Sequence, residues 1–261
     1  MVDNKVAIVT GGTRGIGADI SLELAGAGFN ILSVYKSNEK KATAFLSELR
    51  KISSDSNIFK ADVSLKSEVD GIIEYVDSQF GRIDVLVNNA GIFDFYFLDE
   101  MPEDFLDEIM RVNFKSQVLM IQACSRFLKL SESGRILNAS SISGTLADVG
   151  LIGYGASKAA VDMMTKIAAA EFAPFGITVN AYAPGIIHTD LTDEMIQSRG
   201  DIQVRQIPLN RFGKGKEVGA MVKFLVSPEA GYITGQIIGI DGGMFKVQNP
   251  IRAHEYYSSN S

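Results

Sequence analysis

Short apolar runs alternate with longer amphipathic stretches along nearly the whole chain, and this alternation decides the fold class. The apolar runs fall at 6–9 (VAIV), 31–34, 58–61, 85–87, 135–138, 178–181 and 237–240. Apolar positions recur at helical spacing in 16–27, 39–51, 66–80, 103–130 and 154–172. Strands alternating with helices predict a parallel sheet covered on both faces. Right-handed crossovers then make it an α/β doubly wound parallel sheet, a Rossmann fold, which binds ligands at the carboxyl edge of its strands. No internal repeat or flexible linker interrupts residues 1–245, which read as a single domain. The less regular stretch 189–211 reads as a lid over a substrate. Residues 246–261 read as a tail, either disordered or packed on a neighbouring subunit.

A length of 261 residues leaves room for a substantial core, and 46% hydrophobic with 21% charged residues is ordinary for a soluble protein. The net charge of -6 argues against nucleic acid as a partner, because phosphate binding needs clustered Lys and Arg. Cys124 is the single cysteine, so neither an intrachain disulfide nor a thiolate metal cluster can form. It lies in a helical pattern and reads as a buried small residue. His188 and His254 are isolated from other ligand types, so no metal site is expected. His188 follows Pro184-Gly185 and reads as a loop histidine. The start runs straight into a strand without a secretory pattern, and no apolar run is long enough for a bilayer. A cytoplasmic protein with no membrane contact is the expectation.

The first strand leads into Thr10-Gly11-Gly12-Thr13-Arg14-Gly15-Ile16-Gly17, which opens the first helix. Glycines allow a tight turn and close backbone approach, and a helix N-terminus offers unclaimed N–H groups to a diphosphate. An ordinary strand-to-helix turn would look similar, but the first strand–helix junction is where dinucleotides bind. The second strand ends in Val34-Tyr35-Lys36-Ser37. An NAD site has a carboxylate there for the ribose 2′-hydroxyl. Lys36 and Arg14 instead suit the 2′-phosphate of NADP(H).

Tyr154 and Lys158 are four apart on one helix face, so the ammonium can lower the pKa of the phenol. Such a pair is common on helices and says little alone. Here Ser141 follows the fifth strand, Asn88-Asn89-Ala90-Gly91 follows the fourth, Asn113 lies in the helix between them, and Pro184-Gly185 and Thr189 follow the sixth.

This ordered set, T-G-x-x-x-G-I-G, N-N-A-G, Ser with Y-x-x-x-K, and P-G, closely resembles the short-chain dehydrogenase/reductase family from Lys5 to about Phe245. The resemblance implies that Tyr154 is the general acid, that Lys158 lowers its pKa and holds the nicotinamide ribose, and that Ser141 hydrogen-bonds the substrate carbonyl. It implies that Asn113 holds a water that connects Lys158 to solvent. It also puts Asp62 and Val63 at the adenine, Asn89, Ala90 and Gly91 along the cofactor, and Ile187 and Thr189 at the carboxamide. The implied function is NADPH-dependent reduction of a small ketone by a homotetramer or homodimer.

The segments 184–190, 232–236 and 240–244 look like those of 3-oxoacyl-[acyl-carrier-protein] reductases. However, the positions at which those enzymes carry basic carrier contacts hold Glu132 and Phe175, with Arg126 and Lys129 as substitutes nearby. Phe93, Phe95, Tyr96 and Phe97 read either as an apolar substrate wall or as core packing. An NAD(P)-dependent alcohol dehydrogenase working oxidatively is an alternative. A catalytically idle binding protein is another, although it would have no chemical need for Asn113, Ser141, Tyr154 and Lys158 together.

Overall fold

In the computed structural model, which describes residues 5–190 and 192–259, the apolar runs become strands because their side chains have two cores to enter. Seven strands form one parallel sheet in the order β3-β2-β1-β4-β5-β6-β7. They are β1 (Val6–Thr10), β2 (Asn30–Tyr35), β3 (Asn57–Lys60), β4 (Val85–Asn88), β5 (Arg135–Ala139), β6 (Thr178–Pro184) and β7 (Ile237–Ile240). On β1, Ile8 enters the core under one set of helices while Ala7 and Val9 enter the core under the other, as a period of two requires. β1 pairs with both β2 and β4, so chain direction across the sheet switches there. The crevice above that switch point is where such a sheet takes a ligand.

One face is covered by α1 (Gly15–Gly26), α2 (Glu39–Leu49) and α8 (Gly215–Val226). The other is covered by α3 (Lys66–Gln79), α5 (Ser116–Leu128) and α6 (Ile152–Phe172). Cys124 is fully buried on α5, and burial pushes its thiol up to about 12.

Three expectations need correction. The helical pattern 103–130 is not one regular helix. α4 (Glu103–Met110) passes through a π-helical turn (Arg111–Lys115) into α5. Such turns are rare and often mark functional positions; this one contains Asn113. Second, the helical segments expected from the sequence leave out α8, which contains Gly215 and Gly219. Both glycines face α1. A Cβ on Gly215 would overlap the Asp19 carboxylate, and one on Gly219 would stand 2.9 Å from Glu23 Cγ. Third, the irregular stretch 189–211 contains α7 (Asp193–Val204), preceded by a short two-residue strand at Ile187–His188. The described part of the tail is helical, α9 (Arg252–Ser259), and lies on its own chain. Arg205 pairs with Glu255 at 3.0 Å, and His254 Nε2 sits 2.8 Å from the Pro208 carbonyl. No described helix is long and apolar enough to cross a membrane.

Candidate active site

The glycine turn after β1 is built for a close ligand. Gly11 and Gly15 sit at φ +62° and +51°, the left-handed region that suits glycine. Arg14 precedes α1 in an extended conformation and its side chain does not cap the helix. The first-turn N–H groups are thus left to a ligand. A Cβ on Gly17 would overlap the Gly11 carbonyl oxygen and crowd Asn89 Nδ2 at 2.5 Å. Gly17→Ala is therefore expected to cost roughly 1–3 kcal/mol of stability, read from the urea midpoint. An unchanged midpoint would mean the turn relaxes freely.

Across the switch point, Thr10 joins the two loops. Its Oγ1 accepts the Asn89 and Ala90 N–H groups at 2.9 and 3.0 Å. Asn89 returns a bond from Nδ2 to the Thr10 carbonyl at 3.0 Å, and the Tyr182 hydroxyl donates to Asn89 Oδ1 at 3.1 Å. Thr10 opens the T-G-x-x-x-G-I-G motif, whereas Tyr182 does not stand out in the sequence. Thr189 closes the far side, with Cγ2 3.6 Å from where a Gly15 Cβ would be. Gly185 is held by its N–H to the Ile240 carbonyl at 3.0 Å and leaves no room for a side chain against Asp241.

At the ends of β2 and β3, Lys36 Nζ pairs with Asp62 at 2.9 Å and Arg111 lies 3.9 Å from the same carboxylate. Burial raises the Asp62 pKa, but hydrogen bonds from Ser64 and Lys36 together outweigh it and hold the carboxyl below the usual range. Arg14, Lys36 and Ser37 are exposed. Several expected cofactor residues are largely buried. Tyr35 and Val63 are buried, and Ile187 packs into the core under α1 and α8. Ile16, half-buried, packs against that same core.

The chemical end is assembled from β4, β5, the π turn and α6. Ser141 leaves β5 in extended backbone and accepts the Ser143 N–H at 3.2 Å. Its hydroxyl also hydrogen-bonds the Tyr154 phenol. Burial raises the pKa of that phenol and the Ser141 bond opposes the rise, with a net upward shift. Tyr154 is thus held protonated. Lys158 Nζ lies 5.5 Å from the Tyr154 ring centroid and donates to the Ala139 carbonyl at 2.8 Å. Asn113, fully buried, accepts the Ile92 N–H at 2.8 Å and donates to the Ile92 carbonyl at 2.9 Å. It also reaches Ser157 at 3.1 Å. Both Asn113 Oδ1 and Lys158 Nζ approach Gly91, at 3.2 and 3.7 Å from where a Cβ would be.

Gln117 is a further participant that the sequence reading missed. Its Nε2 donates to the Asn113 carbonyl at 2.9 Å and reaches the Ala139 carbonyl, the acceptor of Lys158, at 3.4 Å. Its only sequence signal is a spacing of four from Asn113. His188 is exposed and pairs with Asp193 at 2.7 Å, away from this cluster of bonds.

Burial pulls the Lys158 ammonium down to about 8, with Asp162 acting in the opposite sense. An ordinary lysine titrates near 10.5. Between those values the unfolded chain holds a proton that the folded chain has released, so stability rises with pH there. Below pH 8 the cost of burying the charge is present in full. Lys158→Met is therefore expected to be stabilised relative to wild type below pH 8, by up to about 3 kcal/mol, and to lose that advantage as pH approaches 10.5. Urea melts at pH 7 and 10 test this; a pH-independent difference would refute it.

Comparison with known proteins gives one consistent answer. A family model described as enoyl-(acyl carrier protein) reductase matches residues 11–245. The 3-oxoacyl-[acyl-carrier-protein] reductase FabG of Staphylococcus epidermidis is 42% identical over 242 residues, which is 93% of this chain and 99% of the relative. The 3-oxoacyl-[acyl-carrier-protein] reductase of Synechocystis is 38% identical over 241 residues, covering 92% of this chain and 96% of the relative. A double mutant of a Serratia marcescens short-chain dehydrogenase/reductase superposes with a TM-score of 0.88 at 32% identity, covering 93% of this chain and 98% of that one.

Proposed function

Because the chain belongs to the short-chain dehydrogenase/reductase family, we propose that it is an NADPH-dependent ketone reductase with Ser141, Tyr154, Lys158 and Asn113 as its working set. The observation that carries this reading is the gathering of Tyr154, Lys158 and Asn113 around Gly91 and Ile92, at the same sheet edge as a glycine cradle.

The cradle fits a dinucleotide. The Gly11, Thr13, Gly15, Ile16 and Gly17 main chain would take the diphosphate, with Arg14 and Lys36 on the 2′-phosphate and Ser37 beside them. Asp62 and the Val63 main chain would take the adenine. Asn89, Ala90 and Gly91 would line the ribose, and Lys158 would hold it. The Ile187 main chain and Thr189, after Pro184-Gly185, would take the carboxamide. Bound there, the nicotinamide supplies the hydride. As charge develops on the carbonyl oxygen, Ser141 donates a hydrogen bond and Tyr154 gives up its proton. Lys158 stabilises the resulting phenolate. Asn113 pins the Ile92 main chain, and with it Gly91, opposite Lys158.

Cofactor preference separates this reading from the oxidative alcohol dehydrogenase alternative, and Lys36 and Arg14 at the end of β2 and the start of α1 favour NADPH and reduction. The subunits associate as a homotetramer or homodimer through α4–α5 and α6, where Met163 and Ile167 are exposed. Screening NADPH consumption across β-ketoesters, acyl thioesters, quinones and cyclic ketones tests the reading. Turnover of at least one ketone class is expected. Cofactor binding without turnover of any would favour the idle-protein alternative.

A further inference from the structure

Phe93 is fixed by its neighbour. Asn113 clamps both main-chain groups of Ile92, and the next residue sets its ring edge-on to Tyr154, with centroids 5.4 Å apart at 80°. From this point an apolar rim runs outward. The Tyr96 N–H bonds the Gly150 carbonyl at 2.9 Å and Tyr96 bridges to Leu151, which ties the loop after β4 to the segment before α6. Gly150 stands at φ +83°, and the Phe95 ring occupies the space a Cβ there would need. Phe97 packs edge-on against Phe95 at 6.0 Å. Phe95 is 42% and Phe97 52% exposed, and Leu98 and Val149 beside them are more so. Rings this open in a contiguous strip mark a binding surface.

Two features identify the occupant. Arg199 of α7 lies 5.9 Å over the Phe95 ring, so the lid helix faces the rim, yet α7 itself has no buried residue. The lid helix and the rim thus meet at Arg199 and Phe95, and the loop that carries the rim reaches Tyr154 through Phe93. The second feature is charge. Asp94, Asp99 and Glu100 of the loop after β4 are all exposed, and residues 92–102 contain no Lys, Arg or His. The rings stand inside an acidic collar in which Asp94, Asp99 and Glu100 outnumber the facing Arg199, so its net effect is to repel anions. The basic residues that would offset this on the carrier-facing side are already engaged. Arg126 pairs with Asp77 at 2.8 Å, and Lys129 sits 4.4 Å over the Phe175 ring.

We propose that Phe93, Phe95 and Phe97 form an aromatic substrate wall inside this collar, and that the chain reduces ketones bearing an aromatic group and no negative charge. The proposal rests on the ketone-reductase reading above. It departs from the carrier-bound substrates named for the relatives, because an acyl carrier protein or a coenzyme A thioester brings negative charge to the mouth.

The test compares kcat/KM, with NADPH, for 2-butanone, acetophenone, 4-carboxyacetophenone and acetoacetyl-CoA. Acetophenone is expected to exceed 2-butanone by about tenfold. The carboxylate is expected to fall about tenfold below acetophenone, with the gap narrowing in 0.5 M salt. Phe95→Ala should collapse the aryl preference while NADPH affinity, read by fluorescence, stays as in wild type. Calorimetric titration of acetophenone and its 4-carboxylate into the protein–NADPH complex reads the wall without turnover. Loss of all turnover with preferential acetophenone binding would overturn the reductase reading and keep the wall. Preferred turnover or binding of an anionic ketone, or an aryl preference indifferent to Phe95→Ala, would overturn the wall.

Discussion

Tyr154→Phe is expected to fold, to bind NADPH with wild-type affinity, and to lose about a thousandfold in kcat. The substitution removes one oxygen. The ring keeps its packing against Phe93, and the helix keeps Lys158 against the Ala139 carbonyl. What disappears is the proton donor and its hydrogen bond with Ser141. Ser141→Ala should cost less, about a hundredfold, because it removes a stabilising donor and leaves the proton source. Single-turnover kinetics with prebound NADPH measure both. Tyr154→Phe within tenfold of wild type would mean that another group protonates the product, and the assigned chemistry would fail.

The parts of this site differed in how clearly the sequence showed them. The parallel sheet and its strands follow from alternation, because a buried parallel sheet demands uninterrupted apolar runs such as VAIV at 6–9, whereas the order of the strands appears only in the structure. The positions of Tyr154, Lys158 and Ser141 follow from spacing and from the ends of strands. Glycine in α8 misleads, because its use there is close approach to α1, a tertiary reason that no local pattern carries. The π turn at Arg111–Lys115 is equally hidden; it is a local underwinding that takes in one extra residue, and the pattern on either side still reads as helix. Gln117 is polar at a position where a core helix would take an aliphatic residue. Its role emerges only once α5 is laid against β5, which brings the Asn113 and Ala139 carbonyls within reach of one amide. The ring cluster at 93–97 shows in the sequence as a composition, but whether it was wall or core depended on exposure.

NADPH is expected to be preferred over NADH by about a hundredfold in kcat/KM, and Lys36→Asp with Arg14→Ala to reverse the preference. Each charge-assisted bond to a phosphate contributes about 1.5–3 kcal/mol, so two cations account for the preference. The structure selects the position for the change. Tyr35 is 8% exposed and ends β2, so a shorter side chain there would also disturb the packing of the strand end. Lys36 is exposed at the end of β2 and reaches Asp62 at 2.9 Å. Its pairing with Asp62 makes the expectation sharper: a bound 2′-phosphate competes with that carboxylate for the ammonium, which limits the preference to a moderate size. Asp62→Asn releases Lys36 from the pair and should strengthen NADPH binding relative to NADH. Kinetic constants for both cofactors in wild type, Lys36→Asp/Arg14→Ala and Asp62→Asn decide the matter. A wild type that prefers NADH would show that neither cation meets the 2′-phosphate. If Asp62→Asn weakened NADPH specifically, Asp62 would be orienting Lys36 toward the phosphate rather than competing for it.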